Sequence, residues 1–435
     1  FSRDAFVALV QEWKDEYEAT IIGQLKSMGC SCDYERTRFT MDPVCATAVR
    51  EAFYRLFRDG LIYRGKRLVN WDPVTLTALA DDEVEMEEVE GHMWYLRYPL
   101  VPDSSGAGPD FITVATTRPE TMLGDTAVAV NPRDPRAAAL RGRHVRLPIV
   151  GRVIPIVEDD YVVMPKEMLE RLGLDTADPK AALATGFLKV TPAHDPNDWE
   201  IGQRHGLEVC NVMAPDGTIS DRHGWTDVSE EAKAFVGLTR EAARERVVDW
   251  FREHGLLESV RPYTHAVGHS YRSHVPIEPY LSDQWYVRVT DHRLRGAALR
   301  AMAPEQRDGA FTVETGPAQA GDGELRFWPA RYARTYQSWH ENLRDWCVSR
   351  QLWWGHRISV WSLEGDVPAS TAQRLDGAVK ADRAAVQESG DTTYVCVRDA
   401  DGHDAALVAL LESAGFTRDP DVLDTWFSSG LWPLS

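Results

Sequence analysis

Two polar stretches of this 435-residue chain carry residue types that could bind and cleave a small charged substrate. The first is TTRPET at 116–121, which directly follows an apolar run. A strand there would bring Thr116, Thr117 and Arg118 together with a carboxylate. The same residue types are common where a strand ends in a capped turn. The stretch therefore predicts either such a turn or a small polar pocket for an ammonium or hydroxyl group.

The second stretch contains Lys189, Thr191, His194, Asp195 and Asp198. Strand side chains alternate, so Lys189 and Thr191 should point to the same face, with the two aspartates close together at a turn after them. An ammonium, a hydroxyl and two carboxylates suit a small zwitterion. Either aspartate alone would also fit a solvated Asp-Pro turn. No Ser–His–Asp or Cys–His arrangement is evident, so we expect a positioned water to be the nucleophile of any hydrolysis.

The elements that must position these residues follow two patterns. Apolar spacing predicts a helix from Phe6 to Met28 and another over Pro43–Arg58. From about 92 to 220 the pattern is β-rich, and a helix near 240–254 should close that block. The predicted strands are 111–115, 126–130, 145–150, 153–157 and 187–190, with a tight hairpin turn at Gly151-Arg152. Residues 303–325 indicate a loop or a hinge. Residues 364–418 combine a polar stretch with a βα unit at 394–397 and 405–414.

Composition narrows the class of protein. Hydrophobic residues make up 43% of the chain and charged residues 26%, which excludes a disordered tail, a collagen and a disulfide-stapled miniprotein. The formal charge of −19 excludes coating of nucleic acid by bulk electrostatics, so any RNA contact must be local. Six cysteines indicate a reducing compartment, and no apolar run approaches the ~18 residues of a membrane span. We expect a cytoplasmic protein of about three domains without a membrane partner.

Together the two polar stretches resemble the editing pocket of a known family. The chain resembles the class I aminoacyl-tRNA synthetases of the valyl, leucyl and isoleucyl group, and specifically the valyl branch, because of RPET at 118–121 and DPND at 195–198. Four further segments match: LIYRGKRLVN at 61–70, IEPYLSDQW at 277–285, DWCVSRQLWWGH at 345–356 and DVLDTWFSSGLWP at 421–433.

The resemblance implies an α/β fold built around a partial Rossmann-like nucleotide-binding catalytic domain. A β-rich, β-barrel-like editing insertion would interrupt that domain. The implied segments are 1–91 for the first part of the catalytic domain, 92–262 for the insertion, 263–345 for a connecting region, and 346–435 for the second part with a further insertion at about 364–418.

The resemblance also implies a function. The intact parent would be a valine–tRNA ligase that uses ATP, Mg²⁺, valine and tRNA(Val), and that hydrolyses mischarged threonyl-tRNA(Val). A hydrophobic pocket rejects an isostere that merely adds a hydroxyl only weakly, so a second, polar pocket is needed.

Residue roles follow from the same resemblance. Asp198 would bind the substrate ammonium, and Lys189, Thr191 and Asp195 would read the threonine hydroxyl, without a decision between the three. Arg118, Thr116 and Thr117 would hold the terminal adenosine and the ester. The remaining implied residues are His194 in the editing pocket, as a base or a structural donor, and Trp353 and Trp354 in the valine pocket of the parent.

The sequence also departs from the family pattern. The H-I-G-H-type and K-M-S-K-S-type elements that hold ATP are absent, so we expect an internal fragment that does not aminoacylate alone. Relatives place cysteine pairs where this chain has Asp72, Thr75, Ser270 and Ser273, which cannot form a tetrahedral thiolate site. We therefore expect no zinc. We also expect that editing needs no cofactor and that the protein is a monomer.

Two alternative functions stay open. The chain could be a free-standing deacylase that edits in trans, or a non-catalytic tRNA-binding relative. Lys189, Thr191, Asp195 and Asp198 are all present, which speaks against the second alternative, because a pure binder needs no pocket of paired carboxylates.

Overall fold

The chain forms two compact units that each combine helices and sheets. The computed structural model describes residues 2–102, 109–309, 311 and 313–434. The first unit comprises 1–66 and 283–435, and the second comprises 67–282. This confirms the predicted α/β class. Among the described residues, no helix has the length and apolar character needed to cross a membrane.

The two N-terminal helices of the first unit form where the apolar spacing predicts them. Helix Arg3–Ser27 starts at the N-cap Ser2, whose hydroxyl accepts the Ala5 amide hydrogen. None of its residues is buried. Helix Pro43–Arg58 has the predicted bounds because Asp42 caps its first turn and an apolar face is buried.

The remaining elements of the first unit are short. Two longer strands, Ile62–Asp72 and Glu278–Val287, run across the boundaries between the units in the sequence. The other helices are Ala297–Ala301, Arg331–Glu341, Ala369–Lys380, Ala405–Ser413 and Thr425–Gly430. The other strands are Trp346–Cys347, Ser349–Arg350, Val360–Glu364, Ala384–Ser389, Thr392–Val397, Thr417–Arg418 and Val422–Leu423.

Residues 360–418 of the first unit build a small antiparallel sheet with two helices packed on it. The strand order is 384–389, 392–397, 360–364, 417–418. The predicted βα unit is found as strand Thr392–Val397 and helix Ala405–Ser413. The stretch interpreted as polar instead contains helix Ala369–Lys380, which buries Leu375 and Ala378 in the same core.

The second unit contains the predicted β-rich block. Its strands are Thr77–Leu79, Val84–Pro99, Phe111–Thr116, Ala127–Val130, His144–Arg146, Val153–Glu158, Phe187–Val190 and Leu257–Ser270. Its helices are Ala137–Leu140, Lys166–Leu172, Pro196–His205 and Arg240–Glu253. The predicted range 92–262 lies within this unit, and its role as an insertion into a nucleotide-binding domain stays a prediction.

Two sheets dominate the second unit. One is antiparallel and places strand Val84–Pro99 between Phe111–Thr116 and Leu257–Ser270. The other has the order 144–146, 153–158, 127–130, 187–190, with one parallel pair in its centre. The shared core combines aliphatic side chains such as Leu96, Val114 and Val128 with aromatic ones such as Trp225 and Phe251.

Two local predictions in the second unit are wrong. The strand predicted at 145–150 ends at Arg146, and the hairpin is closed by the longer loop 147–152 rather than by Gly151-Arg152 alone. In that loop the Leu147 amide donates to the Arg152 carbonyl, and Ile149 adopts a φ of 66°. The turn predicted at Asp195–Asp198 is instead the start of helix Pro196–His205.

Candidate active site

The pairing of two strands brings the two polar stretches together. Strand Ala127–Val130 runs antiparallel to Phe187–Val190, with Ala127 opposite Val190. Asp125, just before the first strand, therefore comes close to Thr191, just after the second. The 3₁₀ helix Pro119–Gly124 leads into Asp125 and contributes the side chain of Thr121.

Lys189 is the centre of a buried polar cluster. Its ammonium donates to Thr121 Oγ1 at 2.9 Å, to Asp125 Oδ1 at 3.2 Å and to Thr191 Oγ1. The Thr191 hydroxyl donates to Asp125 Oδ1 at 2.6 Å, and the Tyr98 hydroxyl donates to Asp125 Oδ2 at 2.7 Å. Lys189 and Thr191 thus share a face, as alternation predicts, and every donor of both head groups has an acceptor.

Burial and charge compete at Asp125. The side chain is 0% exposed, and burial raises the pKa of its carboxyl above the ordinary value, while the Lys189 ammonium and the hydroxyls of Thr191 and Tyr98 oppose that rise. Neither Asp125 nor Tyr98 is among the site residues that the sequence predicts. The signal that could have found Asp125 is its place at the start of a buried strand that pairs with the Lys189 strand.

Asp198 lies in the first turn of helix Pro196–His205 and faces the strand end. The Thr191 main-chain amide donates to its Oδ2 at 2.8 Å. The residue is buried, and burial together with the Asp195 charge raises the pKa of its carboxyl to about 7, while Lys189 opposes the rise. The Asp198 carboxyl therefore keeps its proton to a higher pH than an ordinary aspartate does.

Asp195 is the N-cap of that helix and is only partly buried. Its Oδ1 accepts the amide hydrogens of Asn197 at 2.8 Å and of Asp198 at 3.1 Å. Among the residues that the structure describes, Oδ2 accepts no hydrogen bond. The Tyr161 hydroxyl lies near both carboxyls. Burial is the largest cause of its raised pKa, and the charges of Asp195 and Asp198 raise that pKa further.

His194 is buried between the strand and helix and is held in one state. Its Nε2 accepts the Val212 amide hydrogen at 3.1 Å, so Nδ1 carries the ring proton. Burial lowers the pKa of His194 well below its usual range, and Arg118 and Lys189 lower it further. The ring is therefore neutral, and its one lone pair is already engaged.

Arg118 is held by a network of carboxylates. It contacts Glu120 at 3.3 Å and also Glu278, and it donates to the His194 carbonyl at 3.2 Å. Arg244 binds the same Glu120 with both contacts at 2.8 Å. This network ties the turn after strand Phe111–Thr116 to helix Arg240–Glu253, and it leaves the Arg118 side chain 27% exposed.

The two neighbouring threonines differ in exposure. Thr116 is buried, and its hydroxyl accepts the Arg118 amide hydrogen at 3.0 Å. Thr117 is half-buried. The hydroxyl of Thr116 therefore fixes the turn that carries Arg118.

The two tryptophans assigned to a valine pocket lie in the first unit. Trp353 is 47% exposed and packs edge-on against Phe6, with ring centroids 5.5 Å apart. Trp354 is half-buried and lies 6.4 Å from Phe39, centroid to centroid. The two rings thus contact different aromatic partners near the N-terminal helix.

Asp72, Thr75, Ser270 and Ser273, the residues considered for a zinc site, do not fit that ion. The Ser270 hydroxyl donates to Asp72 Oδ2 at 2.7 Å, and the Val74 and Thr75 amides donate to Asp72 Oδ1. These donors outweigh burial and lower the pKa of Asp72 to about 2. The position is thus filled by a hydrogen-bonded carboxylate without a thiolate. Across the described ranges no group of three or more His, Cys, Asp or Glu side chains is arranged to hold a metal.

The whole chain matches one family. The model described as "tRNA synthetases class I (I, L, M and V)" matches residues 1–435. The chain belongs to this family. The resemblance drawn from the two polar stretches is thereby confirmed at the level of the class I synthetases.

Three curated relatives of this synthetase chain are valine–tRNA ligases. This chain is 43% identical over 435 residues to the valine–tRNA ligase of Protochlamydia amoebophila, and it covers 38% of that protein. It is 43% identical over 444 residues to that of Brucella suis and 44% identical over 433 residues to that of Parasynechococcus marenigrum, covering 42% and 40% of them. Each match covers 100% of this chain. The chain thus spans about two fifths of the length of these relatives.

A solved structure also matches. It is a LeuRS–tRNA–LeuAMS ternary complex from Agrobacterium radiobacter K84, with 18% identity and coverage of 91% of this chain and 44% of that one. The TM-score is 0.26, which is too low to support an argument about the fold.

Proposed function

We propose that this synthetase chain hydrolyses threonyl-tRNA(Val), as the editing part of a valine–tRNA ligase. The observation that carries the proposal is the buried carboxyl of Asp198, with a pKa of about 7, beside the second carboxyl of Asp195. A carboxyl that is costly to ionise when the pocket is empty becomes a strong partner for a cation that enters the pocket. The α-ammonium of an aminoacyl ester is such a cation.

Asp198 would bind that ammonium through Oδ1, because Oδ2 already accepts the Thr191 amide hydrogen. The Thr191 amide fixes the direction of the carboxylate, so the ammonium position is preorganised. Arg118, Thr116 and Thr117 would hold the terminal adenosine and the ester. The Arg118 side chain is accessible for this contact, because its carboxylate network leaves 27% of it exposed.

Asp195 is the best candidate for reading the threonine hydroxyl. Lys189 and Thr191 have their hydrogen-bond donors engaged by the Asp125 cluster, so a substrate hydroxyl would have to displace a partner to reach them. Asp195 instead offers Oδ2 at the partly buried N-terminus of its helix. Valine, which lacks the hydroxyl, would leave this acceptor desolvated and unpaired, and that difference is a source of selectivity.

The reaction would be a direct hydrolysis. Water adds to the ester carbonyl carbon, the bond to the ribose oxygen breaks, and the proton ends on that oxygen, giving free threonine and tRNA. His194 cannot serve as the base, because its only lone pair accepts the Val212 amide hydrogen. The pocket would therefore act by orienting the ester and the water.

The parent ligase reaction is part of the same proposal. The family and the names of the relatives support valine and tRNA(Val) as partners of the longer protein. We propose ATP with Mg²⁺ as its further substrate and cofactor. Trp353 and Trp354 would line its valine pocket. For this chain we propose a monomer in the cytoplasm that needs no cofactor for editing.

The test compares two esters of the same tRNA. The purified chain is incubated with threonyl-tRNA(Val) and with valyl-tRNA(Val), and release of each amino acid is followed. We expect slow hydrolysis of the threonyl ester and sparing of the valyl ester. Asp195→Asn should reduce that preference, whereas Asp160→Asn, an exposed aspartate of the same unit, should not change it.

Two results would contradict the proposal. Equal rates for both esters would exclude selective editing. Binding of tRNA without release of threonine would favour the non-catalytic alternative. If this chain and the longer parent protein hydrolysed threonyl-tRNA(Val) at the same rate, a free-standing trans-editing enzyme would be indicated instead.

A further inference from the structure

Three arginines of the first unit are brought together by two facing chain segments, 353–358 and 418–422. The Arg3 guanidinium donates to the Trp353 carbonyl at 3.2 Å and to the Pro420 carbonyl at 3.1 Å. Arg418 Nε donates to the carbonyl of Ile358 at 3.2 Å. Arg357 forms a β-bridge with Val422. Arg357 and Arg418 therefore start from these two segments, and the Arg3 guanidinium reaches both segments from the start of helix Arg3–Ser27.

The negative charge around this arginine cluster, Arg3, Arg357 and Arg418, is incomplete. Asp401 lies 3.7 Å from Arg418 and 3.7 Å from Arg50, so one carboxylate, itself 57% exposed, is shared by two cations beyond hydrogen-bond distance. Asp4 and Asp421 act on Arg3 only through space. Within the described part of the chain, the exposed Arg357 guanidinium makes no hydrogen bond or ion pair.

The arginines repel one another. Burial lowers the pKa of Arg3, and the charge of Arg357 is the next cause. The same two causes, in the same order, lower the pKa of Arg418. A positive cluster of this kind stands out in a chain whose formal charge is −19, and an anion would relieve its repulsion.

We propose that Arg3, Arg357 and Arg418 form a binding site for a phosphate group. Guanidinium groups present planar pairs of N–H donors that match phosphate oxygens, which makes arginine the preferred residue for such sites. The main-chain carbonyls hold Arg3 and Arg418 in place before a ligand arrives, and Arg357 provides the accessible donor. The phosphate can belong to a free polyphosphate or to an RNA backbone.

This site goes beyond the proposed editing function. All three arginines lie in the first unit, whereas the editing candidates from Thr116 to Asp198 lie in the second. The two proposals can therefore fail separately.

The test uses the full chain and two probes. Binding of inorganic pyrophosphate is measured by isothermal titration calorimetry, and binding of a labelled single-stranded RNA oligonucleotide by fluorescence anisotropy at several salt concentrations. The variant is Arg357→Ala, and the matched control is Arg334→Ala, whose side chain is 83% exposed on helix Arg331–Glu341. Because both positions are exposed, thermal unfolding should show that both variants keep the fold.

We expect saturable binding of at least one probe by the wild type and by Arg334→Ala, with at least tenfold weaker binding by Arg357→Ala. Binding of pyrophosphate identifies a free polyphosphate as a sufficient ligand. Binding of RNA alone identifies the RNA backbone, and the slope of log K against log salt should then fall by about 0.7 in Arg357→Ala. Absence of saturable binding of both probes, or equal affinity of Arg357→Ala and the wild type, would overturn the proposal.

Discussion

The main-chain amide of Thr191 donates a hydrogen bond to Oδ2 of Asp198 at 2.8 Å, while the Thr191 hydroxyl donates to Asp125 at 2.6 Å. One residue thus connects two buried carboxyls of different character. Asp125 is paired with the Lys189 ammonium, whereas Asp198 has no cation in hydrogen-bond contact among the described residues. This difference makes Asp198 the group that gains most from a cationic substrate.

The unpaired Asp198 should make the protein less stable as the pH rises. Its pKa is about 7 in the folded chain against an ordinary value of 3.8, so the folded state holds a proton that the unfolded state has lost. The free energy of unfolding should therefore fall from about pH 4 to about pH 7. Asp198→Asn keeps an acceptor for the Thr191 amide and should be more stable than the wild type at pH 8, by up to about 4 kcal/mol. Urea unfolding at about pH 4 and at pH 8 measures the free energy of unfolding of the wild type and of Asp198→Asn, with Asp160→Asn as control. An unchanged pH profile in Asp198→Asn would contradict it.

Removal of the Lys189 head group should destabilise the second unit. Lys189→Ala leaves the fully buried Asp125 without its cation, and loss of one partner of a buried pair costs about 3–5 kcal/mol. The double variant Lys189→Met/Asp125→Asn removes both charges and should recover part of the loss. Thermal and urea unfolding report both values. A loss below about 1 kcal/mol in Lys189→Ala would show that the pair is solvated.

Part of this site follows from the sequence and part does not. Alternation along a strand places Lys189 and Thr191 on one face, because that relation spans only two residues. Asp125 lies 64 residues before Lys189 and reaches it through strand pairing, which local patterns do not encode. The helix after Asp195 could have been predicted from the sequence, since an aspartate is a typical N-cap and a proline a typical first helical residue.

The same distinction applies to the fold. Helix Pro43–Arg58 was predictable because its cap, its first-turn proline and its apolar face agree. The outer parts of strands Val84–Pro99 and Leu257–Ser270 were missed because they are charged and largely exposed. They form strands because they pair with each other, starting with Val84 opposite Ser270. Neither segment contains a local sequence pattern that identifies the other as its partner.

The Ser270 hydroxyl should stabilise the fold through its hydrogen bond to the buried Asp72 carboxylate. Both Ser270 and Asp72 are 0% exposed, so Ser270→Ala removes a buried donor and should lower the free energy of unfolding by about 1–3 kcal/mol at pH 7. The lowered pKa of Asp72 means that this stabilisation is present above about pH 4 and is lost as the pH falls toward 2. Urea unfolding at neutral and acid pH tests both statements. Thr264→Ala, at an exposed position of the same strand, is the control, and an equal effect of the two substitutions would contradict the assignment.

Editing should depend on pH through the same carboxyl that governs stability. The ammonium binds the ionised form of Asp198, so hydrolysis of threonyl-tRNA(Val) should rise as the pH increases toward about 7. It should fall again where the substrate ammonium loses its proton, at an ordinary α-amino pKa of about 7.7–8.0. Spontaneous ester hydrolysis also changes with pH, so it is measured in enzyme-free samples at each pH and subtracted. A rate that is flat across this range would separate Asp198 from substrate binding.

The proposed site is tested most directly by the rate of threonyl-tRNA(Val) hydrolysis by Asp198→Asn, measured beside the wild type and Asp160→Asn. The pH is about 7.5, where most of the Asp198 carboxyl is ionised and most of the substrate ammonium keeps its proton. The substitution keeps the Thr191 hydrogen bond and removes only the counter-charge of the ammonium. We predict a fall of at least a hundredfold, which corresponds to about 2.7 kcal/mol of transition-state stabilisation, with Asp160→Asn unchanged. Hydrolysis by Asp198→Asn at the wild-type rate would contradict the placement of the site.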